Sequence, residues 1–231
     1  GEELFAKTII SNSTRWDTFG LNDEKKGLVK QEFVSKKEYN WKKNYKPSPS
    51  FVSIHIGVDK KIINPDFNCH HIIVENWDEL EDEKGVIFIS IPTLLDKDLA
   101  PEGKHIVHAF TPSSINEWEN LTRKEYLKKK EDYFEFIINK ISKIIPEIKD
   151  HIDHKEIGTP NTHKKFLGRF EGSYGPIPNK KLLGLLPMPF NTTNIKNLYC
   201  VGDSCFPGQG LNAVAFSGYC LLYTSPSPRD P

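Results

Sequence analysis

The chain has 231 residues, 37% of them hydrophobic and 27% charged, and its 31 Lys and Arg balance 31 Asp and Glu to a formal net charge of zero. That profile fits a soluble chain of one large or two small domains, leaves no electrostatic footprint for nucleic acid, and holds no apolar run long enough to span a membrane. Cys69, Cys200, Cys205 and Cys220 are sparse for this length and mostly lie in or beside apolar segments, which predicts reduced thiols in an intracellular compartment and makes the Asn-x-Ser/Thr triplets at Asn12, Asn120 and Asn191 chance matches.

Residues 1–49 form a charged lead-in with Trp16 and Trp41, and 22–46 reads as a solvated helix or loop running into the turn Pro47-Ser48-Pro49. From Ser50 the pattern changes to β-branched runs at 51–56, 70–75, 85–91 and 104–110, which predict an antiparallel or mixed sheet of about four strands. Ser114 with Glu117, and Thr122 with Glu125, have capping-box spacing. Over 123–145 the residues Leu127, Phe134, Ile137, Ile138, Ile141, Ile144 and Ile145 recur at helical spacing, so an amphipathic helix lies on the sheet and stops at Pro146, with Lys128-Lys129-Lys130 on its solvated face. Thr159-Pro160 starts a short helix that Gly168 ends. Glycine- and proline-rich loops follow at 172–176 and 184–194, suited either to a pocket wall or to a plain connection. After a short strand near 197–201 and a small-residue helix at 211–218, residues 221–231 switch to a proline-rich, non-native-looking tail outside the fold.

Candidate chemistry narrows quickly. Adjacent strand residues point to opposite faces, so His70 and His71 cannot share a metal; His105 and His108 also oppose, and His151 and His154 sit among charges near a helix end. No metal site is expected. Ser204 and Cys205 lack both the Gly-x-Ser-x-Gly pattern and a histidine placed to activate them. What remains is the strand, carboxylate, glycine loop and helix start of 197–212: glycines let the backbone approach a ligand, and a helix N-terminus offers free N–H groups to phosphate.

Gly202-Asp203-Ser204-Cys205-Phe206-Pro207-Gly208-Gln209-Gly210, with Ala213-Val214-Ala215-Phe216-Ser217-Gly218, closely resembles the flavin motif of the plant-type carotenoid (prolycopene) isomerases, which group with phytoene desaturases and retinol saturases. The likeness extends in order through Ser11-Asn12-Ser13-Thr14-Arg15-Trp16-Asp17, Ser90-Ile91-Pro92-Thr93, Leu99-Ala100-Pro101-Glu102-Gly103, Gly158-Thr159-Pro160, Tyr174-Gly175-Pro176 and 184–194. It implies an α/β fold, an α+β substrate domain (50–170) inserted in a Rossmann-like FAD domain to which 171–220 return. It implies FAD, active in its reduced form, with Gly202, Asp203, Gly210, Leu211 and Asn212 at the cofactor, and Tyr174 and Phe190 lining a pocket. The family's Gly-x-Gly-x-x-Gly motif does not occur here, so the chain looks like the C-terminal portion of a longer enzyme. The activity implied is cis-to-trans isomerisation of a poly-cis carotenoid by a plastid enzyme in peripheral contact with a membrane, with no nucleic-acid or metal partner and no acid or base identifiable. A desaturase- or saturase-type oxidoreductase and a non-catalytic fragment stay open as alternatives.

Overall fold

The computed structural model describes residues 3–21, 26–80, 82–179 and 188–224. In chain order its elements begin with β1 (Ile9–Ser11), α1 (Arg15–Phe19), α2 (Lys36–Asn44), β2 (Tyr45–Pro47) and β3 (Ser50–Asp59). Then come β4 (His70–Val74), β5 (Val86–Ser90), β6 (Lys104–Ser113), α3 (Arg123–Ile141), β7 (Ile152–Gly158) and α4 (Pro160–Leu167). The order closes with β8 (Pro176–Pro178), β9 (Leu198–Cys200) and α5 (Leu211–Thr224), joined to the rest by short 3-10 turns. This mixed α/β chain divides into two compact units, one over Gly1–Ser48 and Leu167–Pro231, the other over Pro49–Phe166.

The contiguous unit is a five-stranded antiparallel sheet in the order β4-β5-β6-β3-β7 with α3 packed on one face. Alternation explains the arrangement. Val52, Ile54, Ile56 and Val58 of β3 and Val107 and Ala109 of β6 turn inward, each at most 1% exposed, to meet Phe134, Ile137, Ile138 and Ile141 of α3. Each buried Val, Ile or Phe among them contributes about 1.5–3 kcal/mol by leaving water. Polar atoms buried beside α3 are paired at Trp118: its indole N–H donates to Ser113 Oγ at 2.9 Å, which also meets the Tyr133 hydroxyl at 2.9 Å. The Thr122–Glu125 capping box starts α3 as its spacing predicts. Ser114 instead caps a 3-10 turn over Ile115–Trp118.

Three expectations change. The sheet has a fifth strand, β7, where the sequence suggested a helix end, so His154 lies on a strand and His151 in the 3-10 turn before it. Helix α3 stops at Ile141, and Leu127 on it is 47% exposed rather than in the core. Helix α5 continues through Thr224, past position 221 where the sequence suggested a tail; 225–231 and the 184–187 part of the predicted loop fall outside the described residues.

The other unit holds two small sheets, β1 with β9 in parallel and β2 with β8 antiparallel. Its core is aromatic. Trp16 meets Trp41 edge-on at 4.7 Å and Phe170 at 5.4 Å, and Trp41 stacks on Tyr45 at 4.8 Å, so the charged lead-in supplies buried anchors. Gly20 ends α1 at φ +65, a left-handed turn that suits glycine.

Candidate functional site

The turn after β9 is pinned from behind. Buried Asn191 donates through Nδ2 to the carbonyls of Cys200 (2.9 Å) and Ser217 (3.1 Å), and the Gly202 N–H donates to Ser217 Oγ at 3.2 Å, so the strand end is tied to α5. Gly202 stands at φ +97, a conformation that favours glycine, and a Cβ there would fall 2.5 Å from Asn12 Oδ1, just past β1, so that a larger residue would also have to displace the Asn12 side chain. Among the described residues nothing lies within 4 Å of where a Cβ on Gly210, at φ +102, would stand. Behind that open space α5 begins, with Leu211 and Asn212 both exposed and, as at every helix start, N–H groups with no carbonyl behind them.

Asp203 is half-sheltered at this turn, its side chain 13% exposed and ion-paired through Oδ2 with the Arg169 guanidinium. Arg169 Nε donates to the Ser173 carbonyl, and its guanidinium carbon lies 5.2 Å from the centre of the Tyr174 ring. Burial, with Asp203 nearby, raises the Tyr174 phenol above its ordinary value against the pull of Arg169, so it stays protonated and can donate. The loop around Tyr174-Gly175 therefore meets the turn around Asp203, as a Cβ on Gly175 would come 3.2 Å from the Asp203 carbonyl. Phe190 is placed differently: 53% exposed, its ring 5.6 Å from Phe206 and its carbonyl accepting from Arg15 Nη2 at 2.9 Å. Arg169 carries no motif that announces its role; only the fold brings it to Asp203. A carboxylate at a strand end, its Oδ2 held by Arg169 and its Oδ1 accepting a long 3.4 Å bond from the Ser204 hydroxyl, beside an open helix start, can hold hydroxyls and an anionic group together.

Beneath this turn lies a second buried pair. Arg15, 1% exposed, donates through Nη1 to Glu38 at 2.6 Å, next to the thiols of Cys200 and Cys205. Burial pushes Cys200 up to about 12 and Cys205 upward as well, with Arg15 pulling the other way, so neither is a thiolate at neutral pH and neither is poised as a nucleophile. In the native chain at pH 8, Cys200 and Cys205 should react with an aromatic disulfide reagent at least a hundredfold more slowly than in urea, read by mass spectrometry of the labelled peptides.

The face of the five-stranded sheet away from α3 carries two rows of rings. His70, Ser90, His108, His55 and Glu156 stand in register across all five strands, with His70 Nδ1 2.9 Å from Ser90 Oγ and His55 stacked on His108 at 4.3 Å. The adjoining row sets Phe88 flat on Phe110 at 4.9 Å, with Phe51 edge-on to Phe110 at 4.9 Å. Among the described residues no group of three or more His, Cys, Asp or Glu could hold a metal ion. Burial, then His55, lowers His108 from its ordinary 6.5 to about 4, so it is neutral near pH 7. Its folded value is depressed, so its protonation favours the unfolded chain: stability should be full above pH 6.5 and fall as pH drops from there toward 4. Melting temperature against pH should show that slope in the native chain and a shallower one in His108→Asn.

No family model matches the chain. It is 57% identical over 220 residues to prolycopene isomerase 2, chloroplastic, of an Oncidium hybrid cultivar, and 56% identical over 220 residues to prolycopene isomerase, chloroplastic, of Arabidopsis thaliana. Each match takes in 94% of this chain and 36% of the relative, so the chain spans about a third of the length of these curated relatives. More distantly it is 27% identical over 230 residues to 4,4'-diapolycopen-4-al dehydrogenase of Metabacillus indicus, covering 93% of this chain and 44% of that protein. Among solved structures, an oxidoreductase of Methanosarcina mazei shares the fold at TM-score 0.55 with 16% identity, over 94% of this chain and 43% of that one. A protein of Pyrococcus furiosus does so at TM-score 0.53 and 16% identity, over 98% and 43%. Over the stretch matched, which is nearly all of it, this chain is similar to the prolycopene isomerases at 54% to 57% identity.

Proposed function

We propose that this chain is part of a plastid FAD-dependent carotenoid isomerase, completing the cofactor site and presenting a face to the substrate, so that a poly-cis carotenoid such as prolycopene becomes all-trans with no net redox change. The observation that carries the reading is the Asp203 turn, a braced carboxylate beside an open helix start, within a chain 54% to 57% identical to enzymes named for that reaction. The residues fit FAD. Asp203 would accept from a ribityl hydroxyl or neighbour the pyrophosphate, its Oδ2 held by Arg169, and the N–H groups of Gly210, Leu211 and Asn212 would face the flavin. Bound and reduced, the flavin supplies the electron density that lets a polyene double bond weaken and turn. Tyr174 donates a hydrogen bond from a protonated phenol at the rim of this turn, and Phe190 adds an exposed apolar wall. The unit over Pro49–Phe166 serves as the substrate-binding part, its rows of imidazole and phenyl rings giving a flat bed for a conjugated chain. Such a substrate leaves a membrane to reach the enzyme, which makes peripheral membrane contact part of the reading.

The test is a chimera in which this chain replaces the matched stretch of the Arabidopsis thaliana relative. With its flavin reduced and poly-cis lycopene supplied in detergent, the product should run as the all-trans isomer at unchanged mass. A product lighter by two hydrogens would transfer the chain to the desaturase-type reading that the 27% identity over 140 residues to a 4,4'-diapophytoene desaturase of Staphylococcus aureus supports. Absence of any product from every carotenoid isomer would leave the isomerase reading without support.

A further inference from the structure

Helix α4 ends on two outward apolar side chains, Phe166 at 75% and Leu167 at 58% exposure, directly after Lys164 and Lys165. The start of α3 is fixed beside it: the Tyr126 hydroxyl meets Thr159 Oγ1 at 2.7 Å, and Asn161 Nδ2 donates to the Trp118 carbonyl at 3.1 Å. Between the two helices lies a shallow, open hollow of about 960 Å³ whose lining includes Trp118, Tyr126, Arg123, Lys164, Lys165 and Glu119. Among its charged lining residues three cations face one carboxylate. Two of these cations lie against rings, Arg123 5.9 Å from the centre of Tyr126 and Lys165 5.4 Å from that of Phe166, and Lys130 lies 6.0 Å from the Tyr126 ring as well.

A lone exposed phenylalanine means little. Here two adjacent apolar side chains project beside a cationic, ring-backed hollow, and long lysine stems can hold their charge at headgroup level while the rings go deeper. Charge separates this surface from the exposed apolar face of α5, since Leu211, Phe216, Tyr219 and Leu222 sit on a helix with no charged residue in its sequence. Among the described residues no helix is long and apolar enough to cross a membrane, so any bilayer contact by a helix here is from one side.

We propose that the 164–167 end of α4, together with Arg123, is the surface by which this protein docks on an anionic lipid bilayer. Phe166 and Leu167 enter the acyl boundary, and Lys164, Lys165 and Arg123 lie over the lipid phosphates. The inference rests on the carotenoid reading only for the reason a bilayer matters; the assay below contains no carotenoid, and the isomerase test uses detergent, so either can fail alone.

The 231-residue chain is mixed with sucrose-loaded vesicles of phosphatidylcholine, with or without about a third of phosphatidylglycerol, and the bound fraction is read after centrifugation. Binding should need the anionic lipid and weaken with salt. Lys164→Ala/Lys165→Ala should reduce the partition coefficient about thirtyfold. Phe166→Ala/Leu167→Ala should reduce it about tenfold while keeping the salt dependence. Lys36→Ala/Lys37→Ala, on exposed positions of α2, should leave it unchanged, with circular dichroism matching the parent in every variant. Equal binding to both kinds of vesicle, no binding by the parent chain, or equal loss from the α2 variant overturns the proposal. So does a dimer in sedimentation velocity that Phe166→Ala/Leu167→Ala dissolves, which would assign the surface to a second copy.

Discussion

Asp203→Ala in the Arabidopsis chimera lowers bound flavin per protein at least tenfold, read as the ratio of flavin to protein absorbance after gel filtration. The magnitude follows from the bond removed. A hydrogen bond to a charged group is worth about 1.5–3 kcal/mol, one to two powers of ten in affinity. The variant also releases Arg169, which in the native turn is braced on Oδ2, so the guanidinium is left with Ser173 and Tyr174 alone among the partners described above. Arg169→Ala provides the comparison: it keeps the acceptor but frees it to rotate, and flavin retention should fall between parent and Asp203→Ala. An unchanged absorbance ratio in Asp203→Ala would remove this residue from the cofactor site.

Glu38→Ala in the isolated chain should cost about 3–5 kcal/mol, a large share of the 5–15 kcal/mol that holds most domains together. The reason is the charge left behind. Arg15 and Glu38 have side chains 2% and 7% exposed, and without the carboxylate the guanidinium remains in the core facing neutral partners such as the Phe190 carbonyl and the Cys205 thiol. Replacing both partners with apolar side chains, Arg15→Met/Glu38→Leu, should recover most of the loss, because the penalty comes from the orphaned charge rather than from the missing bond. Urea midpoints measure both. A loss under about 1 kcal/mol for Glu38→Ala would mean that water reaches Arg15.

The parts of the fold that could be read in advance are those where one face is wet and the other dry. Strands β3 to β6 declare themselves because Val52, Ile54 and Ile56 alternate with residues of another kind, and the Thr122–Glu125 cap because its partners are three residues apart. Strand β7 stays hidden for the opposite reason: as an edge strand it exposes Asp153, His154, Lys155 and Glu156 in succession, and no period survives. At the candidate site, Asp203 and its glycines were visible as a local run. Arg169 was not, since its pairing with Asp203 depends on a chain reversal, and Arg15 with Glu38 read as two more charges in a solvated lead-in. Charge in a sequence says nothing of burial until its partner is known.

The parallel pairing of Ile9 with Leu198 has a bearing on how the chain comes to be made. The contiguous unit needs only Pro49–Phe166, and its own pairing of Ser53 with Gly158 draws the two ends of that stretch together. Once it has formed, the loop left to close between β1 and β9 is much shorter, and each halving saves about 0.6 kcal/mol. During synthesis the sheet unit can therefore mature on the ribosome, while Trp16, Trp41 and the strand at Ile9 wait for β9 to emerge, a period in which they are natural clients for a chaperone.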